Sequence, residues 1–454
     1  MQPAIDAIKE TGRRIGRSAT FKLITIAILI LLLLIPSAMV NNLIWEREYR
    51  KDDVVREISD KWGGPQVVTG PVITVPYHRH KEDEKGKIIT WSEYFHMLPD
   101  TVDIQSDITP NIRYRGIYEA VLYHANLTLK GTFSGVPVKD LRIPPEDIQW
   151  AGAYISLGVS DMRGITDRIA ASFGGKALSM EPGLESAEVI ASGVSSGIPL
   201  DGSDTERTFR FAVSLNGSSY LRFVPVGKTT TVFARSEWQD PSFDGAFLPV
   251  SRSITDSGFS ANWKVLHLNR NYPQHWKGKG PEIMPSMFGM SLFNPVDVYQ
   301  KTTRTAKYAL MFIVFTFIAF FIAEVMNRLR VHPVQYLFIG LGIIVFYTLL
   351  LSISEHAGFG AAYLISATAV IGLITGYAKA IVKNRLVTLM VGGILAVLYA
   401  YLYIVLQLVD YALLMGSVGL FLVLAAVMYF TRKIDWYGAT GQPEASPAAG
   451  ASAS

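Results

Sequence analysis

The stretch YALMFIVFTFIAFFIAEVM, from Tyr308 to Met326, decides the fold, because its one charge is Glu324. About nineteen residues at about 1.5 Å each cover the roughly 30 Å hydrocarbon core of a bilayer. Four more runs of this kind follow, from Val334 to Ile353, Ala361 to Val382, Leu386 to Leu408 and Tyr411 to Phe430. A sixth opens at Phe21, spans by Val40 and keeps its apolar character to Ile44. The expected fold is that of a membrane protein, a six-span α-helical bundle with one N-terminal span and five C-terminal spans, and a large β-rich, sandwich-like domain outside the membrane between them.

The chain has 454 residues, 50% of them hydrophobic, and a net charge of +4 with basic residues beside the apolar runs rather than in one block. That distribution argues against a nucleic-acid partner. There is no cysteine, which removes disulfides, thiolate nucleophiles, iron–sulfur clusters and zinc–thiolate sites.

Residues 1–20 form a basic segment with Lys9, Arg13, Arg14 and Arg17. The run from Leu23 to Pro36-Ser37-Ala38 has the outline of a signal peptide. Its apolar character continues to Ile44 and no A-x-A triplet closes it, so residues 21–44 read as an uncleaved anchor. Residues 45–62 carry charges at helical spacing, Glu46 with Arg50, Asp52 with Arg56 and Glu57 with Lys61, and read as a solvated helical stalk stopped by Gly63-Gly64-Pro65.

From Gln66 onward the apolar period becomes two. Val121, Tyr123, Ala125, Leu127 and Leu129 alternate with polar neighbours, as do the runs around Ile155, Phe209 and Phe259, which is the pattern of half-buried strands. Asn216-Gly217 reads as a hairpin turn between Phe209 to Leu215 and Tyr220 to Val226, and Lys81 to Lys87 as an exposed hairpin tip. Residues 63–305 are expected to form the β-rich domain, large enough for its own core, and 308–430 the five-helix bundle. Residues 431–454 form a tail, disordered from about Gly438.

Orientation follows the short loops. Arg328, Arg330, Lys379, Lys383, Arg385, Arg432 and Lys433 lie on one side, whereas Ser354 to Gly360 and Val409 to Asp410 have no Lys or Arg. Both termini are expected in the cytoplasm and residues 45–305 across the membrane, although Lys301, Arg304 and Lys307 count against a simple charge rule.

Ionisable residues near the spans are the candidate functional groups, because a charge in lipid is costly. They are Glu324, with Arg328 as the expected partner one turn on, His332 in the following turn, and Glu355 with His356 at the far end of the next span. About twenty residues of helix, roughly 30 Å, separate the two groups, so they do not form one site. Glu355-His356 lacks the spacing of a zinc-protease motif and is read as interfacial capping, and Tyr77, His78 and His80 resemble a metal patch but sit beside the charged hairpin tip. No metal, cofactor or catalytic constellation is expected. Thr368, Gly372, Gly376 and Ala380 form a small-residue stripe expected to pack against a neighbouring helix of the same chain.

Several stretches together resemble one known family: Gly70-Pro71-Val72-Ile73-Thr74-Val75-Pro76, Arg163-Gly164-Ile165, Pro241 to Pro249 with Ser257-Gly258-Phe259, His332-Pro333-Val334-Gln335-Tyr336, Ser354 to Phe359, and Arg432 to Tyr437. In this order they resemble the CreD family of bacterial inner-membrane proteins, associated with cell-envelope integrity and colicin tolerance. The resemblance implies a periplasmic domain and production tied to a two-component system and envelope stress; it supplies no catalytic residue. The function expected is non-enzymatic support of the envelope, through binding of an envelope protein, lipid or cell-wall partner by the periplasmic domain. A transporter or membrane-embedded enzyme acting on a lipid or envelope precursor is the alternative. The bilayer is a partner on either reading, and the sequence leaves the oligomeric state open.

Overall fold

A computed structural model describes residues 19–136, 140, 142–202, 205–292, 298–326, 331–382, 384–408 and 411–432. The basic N-terminal residues, Arg328 and Arg330, Lys383, Val409-Asp410 and the tail from Lys433 lie outside them. The chain divides into two compact units, one of Met1–Arg50 with Val296–Ser454 and one of Lys51–Pro295.

The first unit is helical. Helix α1 (Ala19–Trp62) contributes its residues through Arg50, and its buried positions Ile26, Leu33, Val40 and Ile44 recur at seven- and four-residue spacing, a single stripe on one face. Then come α2 (Val298–Lys307), α3 (Ala309–Met326), α4 (Pro333–Val382), α5 (Arg385–Gln407) and α6 (Ala412–Thr431). Among the described residues three helices, Phe21–Trp62, Pro333–Ile381 and Arg385–Gln407, are long and apolar enough to cross a membrane, or four if α2 and α3, bent by 44° at their junction, count as one.

The sequence places a short loop at Ser354 to Gly360. Instead, helix runs on both sides of Gly358, whose φ of 73° breaks α4 inside its 50 residues. A side chain at that φ is strained, and glycine is not. Helix α2 is also unexpected: its four buried residues, Tyr299, Thr302, Thr305 and Ala306, interleave with charges, so it shows no uniform apolar run.

Close helix contacts occur where glycine permits them. A Cβ on Gly340 would stand 2.2 Å from Leu33 Cδ1, and one on Gly392 would stand 2.9 Å from Thr375 Oγ1. The stripe expected to pack does not. Thr368, Gly372, Gly376 and Ala380 are all exposed, and a Cβ on Gly372 or Gly376 meets nothing within 4 Å. The buried face of this half of α4 is the adjacent one, Ala367, Val370, Ile374 and Ala378, where the branched side chains of Val370 and Ile374 fill space that the small stripe cannot.

The second unit holds the strands β1 (Gln66–Glu82), β2 (Ile88–Met97), β3 (Thr101–Arg115), β4 (Tyr118–Phe133), β5 (Tyr154–Val159), β6 (Ala170–Phe173), β7 (Lys176–Leu178), β8 (Glu181–Pro182), β9 (Gly193–Gly197), β10 (Arg207–Ser218), β11 (Tyr220–Val224), β12 (Thr229–Ser236), β13 (Pro241–Gly245), β14 (Ser251–Thr255), β15 (Gly258–Leu266), β16 (His275–Lys277) and β17 (Phe288–Leu292). A nine-stranded sheet runs β13-β17-β11-β1-β5-β9-β8, with β2 between β1 and β16; an eight-stranded sheet runs β14-β15-β12-β3-β4-β10-β6-β7. The pairs β1–β11 and β3–β12 are parallel and the others antiparallel, so both sheets are mixed. Strand β1 is buried without a gap from Gln66 to Tyr77, which is why Val67, Val68, Val72, Ile73 and Val75 stand on both of its faces rather than alternating strictly.

Buried residues of both sheets form one core. Trp263 of β15 touches Phe243 of β13 and Phe288 of β17, with ring centroids 5.6 and 5.9 Å apart. The hairpin tip expected at Lys81 to Lys87 is the turn between β1 and β2. Asn216-Gly217 is not a turn. It lies inside β10, paired with His124 and Tyr123 of β4, and the chain changes sheets at Ser219, with φ 62°, before β11 pairs with β17 and β1. A long cross-strand ladder outweighs the two-residue turn signal.

Helix α1 ends at Trp62, and its last turns are not a free solvated face. Lys61 pairs with Glu57 at 2.7 Å, Arg56 pairs with Asp53 rather than Asp52, Arg115 also reaches Glu57, and Trp62 Nε1 donates to Tyr123 O. Gln66, fully buried, locks the junction. Its Nε2 donates to the carbonyls of Asp161 and Asn216, each at 3.0 Å, and its Oε1 accepts from Ser160 Oγ and Asp161 N. Asp161 also accepts from Gly64 N at 2.8 Å, and hydrogen bonding by Arg163 holds its carboxyl below the usual range. Gly164 is small of necessity: a Cβ there would lie 2.3 Å from Asn216 O.

Candidate functional site

Two carboxylates singled out by sequence are each bound by the first helix. Glu324, 2% exposed near the end of α3, accepts from Lys22 Nζ, Val331 N at 3.0 Å and Tyr336 Oη at 3.0 Å. Tyr336 in turn packs edge-on against Phe317, centroids 5.4 Å apart. The expected partner Arg328 lies outside the described residues. Three donors, one of them charged, offset the desolvation of a buried carboxylate.

Glu355 accepts from Tyr299 Oη at 2.9 Å, and Arg47 Nη1 stands 3.9 Å from its other oxygen. Its side chain is 9% exposed, whereas the adjacent His356 is exposed. Nearby, Lys301 Nζ lies 5.7 Å from the centre of the Phe359 ring. His332 is exposed and caps α4: Gln335 N donates to its carbonyl at 2.8 Å, and its own N–H donates to Gln335 Oε1 at 2.9 Å. The two acidic centres thus have separate partners, and each joins α1 to the later helices. Lys22, Arg47 and Tyr299 escape a sequence reading because they are hundreds or tens of residues from the groups they bind. Their one sequence signal is position, for Lys22 and Arg47 flank the first apolar run.

The β-rich unit holds a third polar centre with no sequence signature. His96, 1% exposed, meets Thr74 Oγ1 at 2.9 Å through Nδ1 and Glu188 Oε2 at 2.9 Å through Nε2, with the Trp276 ring 5.6 Å away. Burial pushes the imidazole below its ordinary value, against the opposing pull of Glu188. The unfolded chain therefore takes up a proton first as pH falls, and the stability tied to neutral His96 is present above about pH 6.5 and lost below it. Thermal melting of the full chain in detergent should drop between about pH 6.5 and 5, and His96→Gln should flatten that part of the profile; an unchanged slope would contradict the assignment. Thr74 is buried, so its hydroxyl is out of reach of a substrate. At the hairpin tip, His80 Nε2 lies 3.0 Å from Asp147 and Tyr77 donates to Glu93. Among the described residues no group of three or more His, Cys, Asp or Glu side chains is placed to hold a metal ion.

Apolar helices of membrane-crossing length, joined to a large mixed-sheet domain that follows the first of them, define a membrane protein in contact with the lipid bilayer. The family model described as inner membrane protein CreD matches residues 18–437. The inner membrane protein CreD of Escherichia coli (strain K12) is 34% identical over 419 residues, covering 90% of this chain and 91% of that relative. The chain belongs to the CreD family of inner membrane proteins. Two crystal structures of an M1 zinc metallopeptidase from Deinococcus radiodurans align with 10% identity: one over 42% of this chain and 42% of the other with a TM-score of 0.20, one over 37% and 39% with a TM-score of 0.19. Scores this low carry no weight for the fold.

Proposed function

We propose that this protein supports envelope integrity under stress as a non-enzymatic inner-membrane scaffold, with its β-rich domain in the periplasm binding an envelope partner. The proposed topology has six spans with both termini cytoplasmic. It is supported by the break of α4 at Gly358, which leaves halves of 25 and 24 residues, each long enough to span, and by the basic residues Lys379 in the last turn of α4, Arg385 at the start of α5 and Arg432 at the end of α6. The observation that carries the scaffold reading is that Glu324 and Glu355 are both engaged by α1 within the chain, as structural ties would be.

The test is complementation of a strain lacking the protein, with Glu355→Gln and His356→Ala compared at matched membrane abundance. Both should restore envelope tolerance to within about twofold of the unaltered chain, since Glu355→Gln keeps an oxygen for the Tyr299 hydroxyl and gives up an Arg47 contact of 3.9 Å, and His356 is exposed. Loss of tolerance at normal abundance would overturn the scaffold in favour of a transporter or membrane-embedded enzyme handling a lipid or envelope precursor.

A further inference from the structure

Beside the last two turns of α1, within the β-rich unit, lies an open groove of about 380 Å³, a size within the roughly 300–1,000 Å³ of small-molecule sites. Ile58, Trp62 and Leu122 supply apolar lining, and Lys61, Arg113 and Arg115 stand with Glu57 among the other lining residues. The charges do not balance. Lys61 and Arg115 both bind the single carboxylate of Glu57. Arg113 has no carboxylate within ion-pair distance among the described residues; its guanidinium lies 5.4 Å from the Trp62 ring centre. Three cations around one anion, beside an apolar strip, present complementary chemistry to a molecule with an anionic head and a hydrocarbon chain.

We propose that this groove binds an anionic phospholipid, with its phosphate on Arg113 and the neighbouring cations and its acyl chain along Ile58, Trp62 and Leu122. Guanidinium matches phosphate with paired, charge-assisted hydrogen bonds, and the apolar strip takes the chain. An acidic peptide fits less well, because the surface exposed in the groove is mainly apolar and the backbone N–H and C=O groups of a peptide would lose water against it. The source is at hand in the sequence: the same helix carries the first apolar run of an inner-membrane protein. This inference deepens the proposed function by naming lipid as the partner class, and it rests on that reading for its cellular meaning.

The chain has no cysteine, so Tyr114→Cys offers one attachment point for an environment-sensitive fluorophore at the groove in the full-length protein in non-ionic detergent. Dihexanoyl phosphatidylglycerol, dihexanoyl phosphatidylcholine and inorganic phosphate are titrated in turn. The expected result is a saturable emission shift with the anionic lipid, about tenfold weaker with the zwitterionic one, and none with inorganic phosphate. Arg113→Gln should weaken the anionic lipid about tenfold and leave the zwitterionic one unchanged. Should that variant fold poorly, salt decides on the unaltered groove: about 1 M NaCl, where screening acts within about 3 Å, should abolish the preference for the anionic lipid. Equal responses to the two lipids, no saturable response, or a full response to inorganic phosphate alone would overturn the proposal. A failed titration leaves the envelope reading standing, since complementation does not depend on this readout.

Discussion

Glu324→Ala is expected to destabilise the helical unit by about 3 kcal/mol, the lower end of what breaking a buried ion pair costs, because the Lys22 side chain keeps 30% exposure. The substitution strands an ammonium, the Tyr336 hydroxyl and the Val331 N–H at once. Glu324→Gln keeps one oxygen acceptor, for Val331 N, while its amide nitrogen can only donate to the Tyr336 oxygen, and it should cost about 1–2 kcal/mol. Thermal unfolding in detergent, followed by the fraction remaining monodisperse after heating, gives both values. A melting point for Glu324→Ala equal to that of the unaltered chain would remove the structural role, and loss of envelope function at that melting point would return Glu324 to the list of chemical groups.

Gln66→Leu should cost about 3 kcal/mol in the β-rich unit, because a leucine of similar volume removes the side-chain partner of the Asn216 carbonyl and of the Asp161 N–H and leaves the Asp161 carbonyl with Gly164 N as its donor. Gln66→Glu keeps the length but turns a carboxylate toward those two carbonyls, and it should be at least as harmful. Limited proteolysis at the junction around Gly63 and Gly64 is the sensitive readout, since the network ties the end of the stalk to β1. Unchanged cleavage rates in Gln66→Leu would show that the junction is held elsewhere.

The parts of this fold set by local pattern were legible in the sequence. Apolar length found the membrane-capable helices, and alternation found β4, β10 and β15 with the correct residues facing inward. What escaped depends on partners distant in the chain. Asn216-Gly217 has the local signature of a hairpin, yet pairing along all of β10 with β4 keeps it extended. The small stripe from Thr368 to Ala380 has the signature of a packed face, but the helical glycines in the tightest contacts are Gly340, Gly392 and Gly419, none of which belongs to that stripe. Glu324 and Glu355 were visible because charge is rare in apolar runs, whereas their partners on α1 were not, and Glu324 had a nearer candidate in Arg328. His96 was invisible, since Thr74 and Glu188 stand 22 and 92 residues from it.

The pair between Lys22 and Glu324 also sets a clock. Its members are 302 positions apart, and at about 5–20 residues per second a ribosome takes about 15–60 s to pass from one to the other. Throughout that interval α1 sits in the membrane with Lys22 unanswered, while the whole β-rich segment is made. Until α3 arrives every newly inserted chain lacks this tie, so a variant that weakens the pair should match the unaltered chain in its first minute and be lost faster only after that.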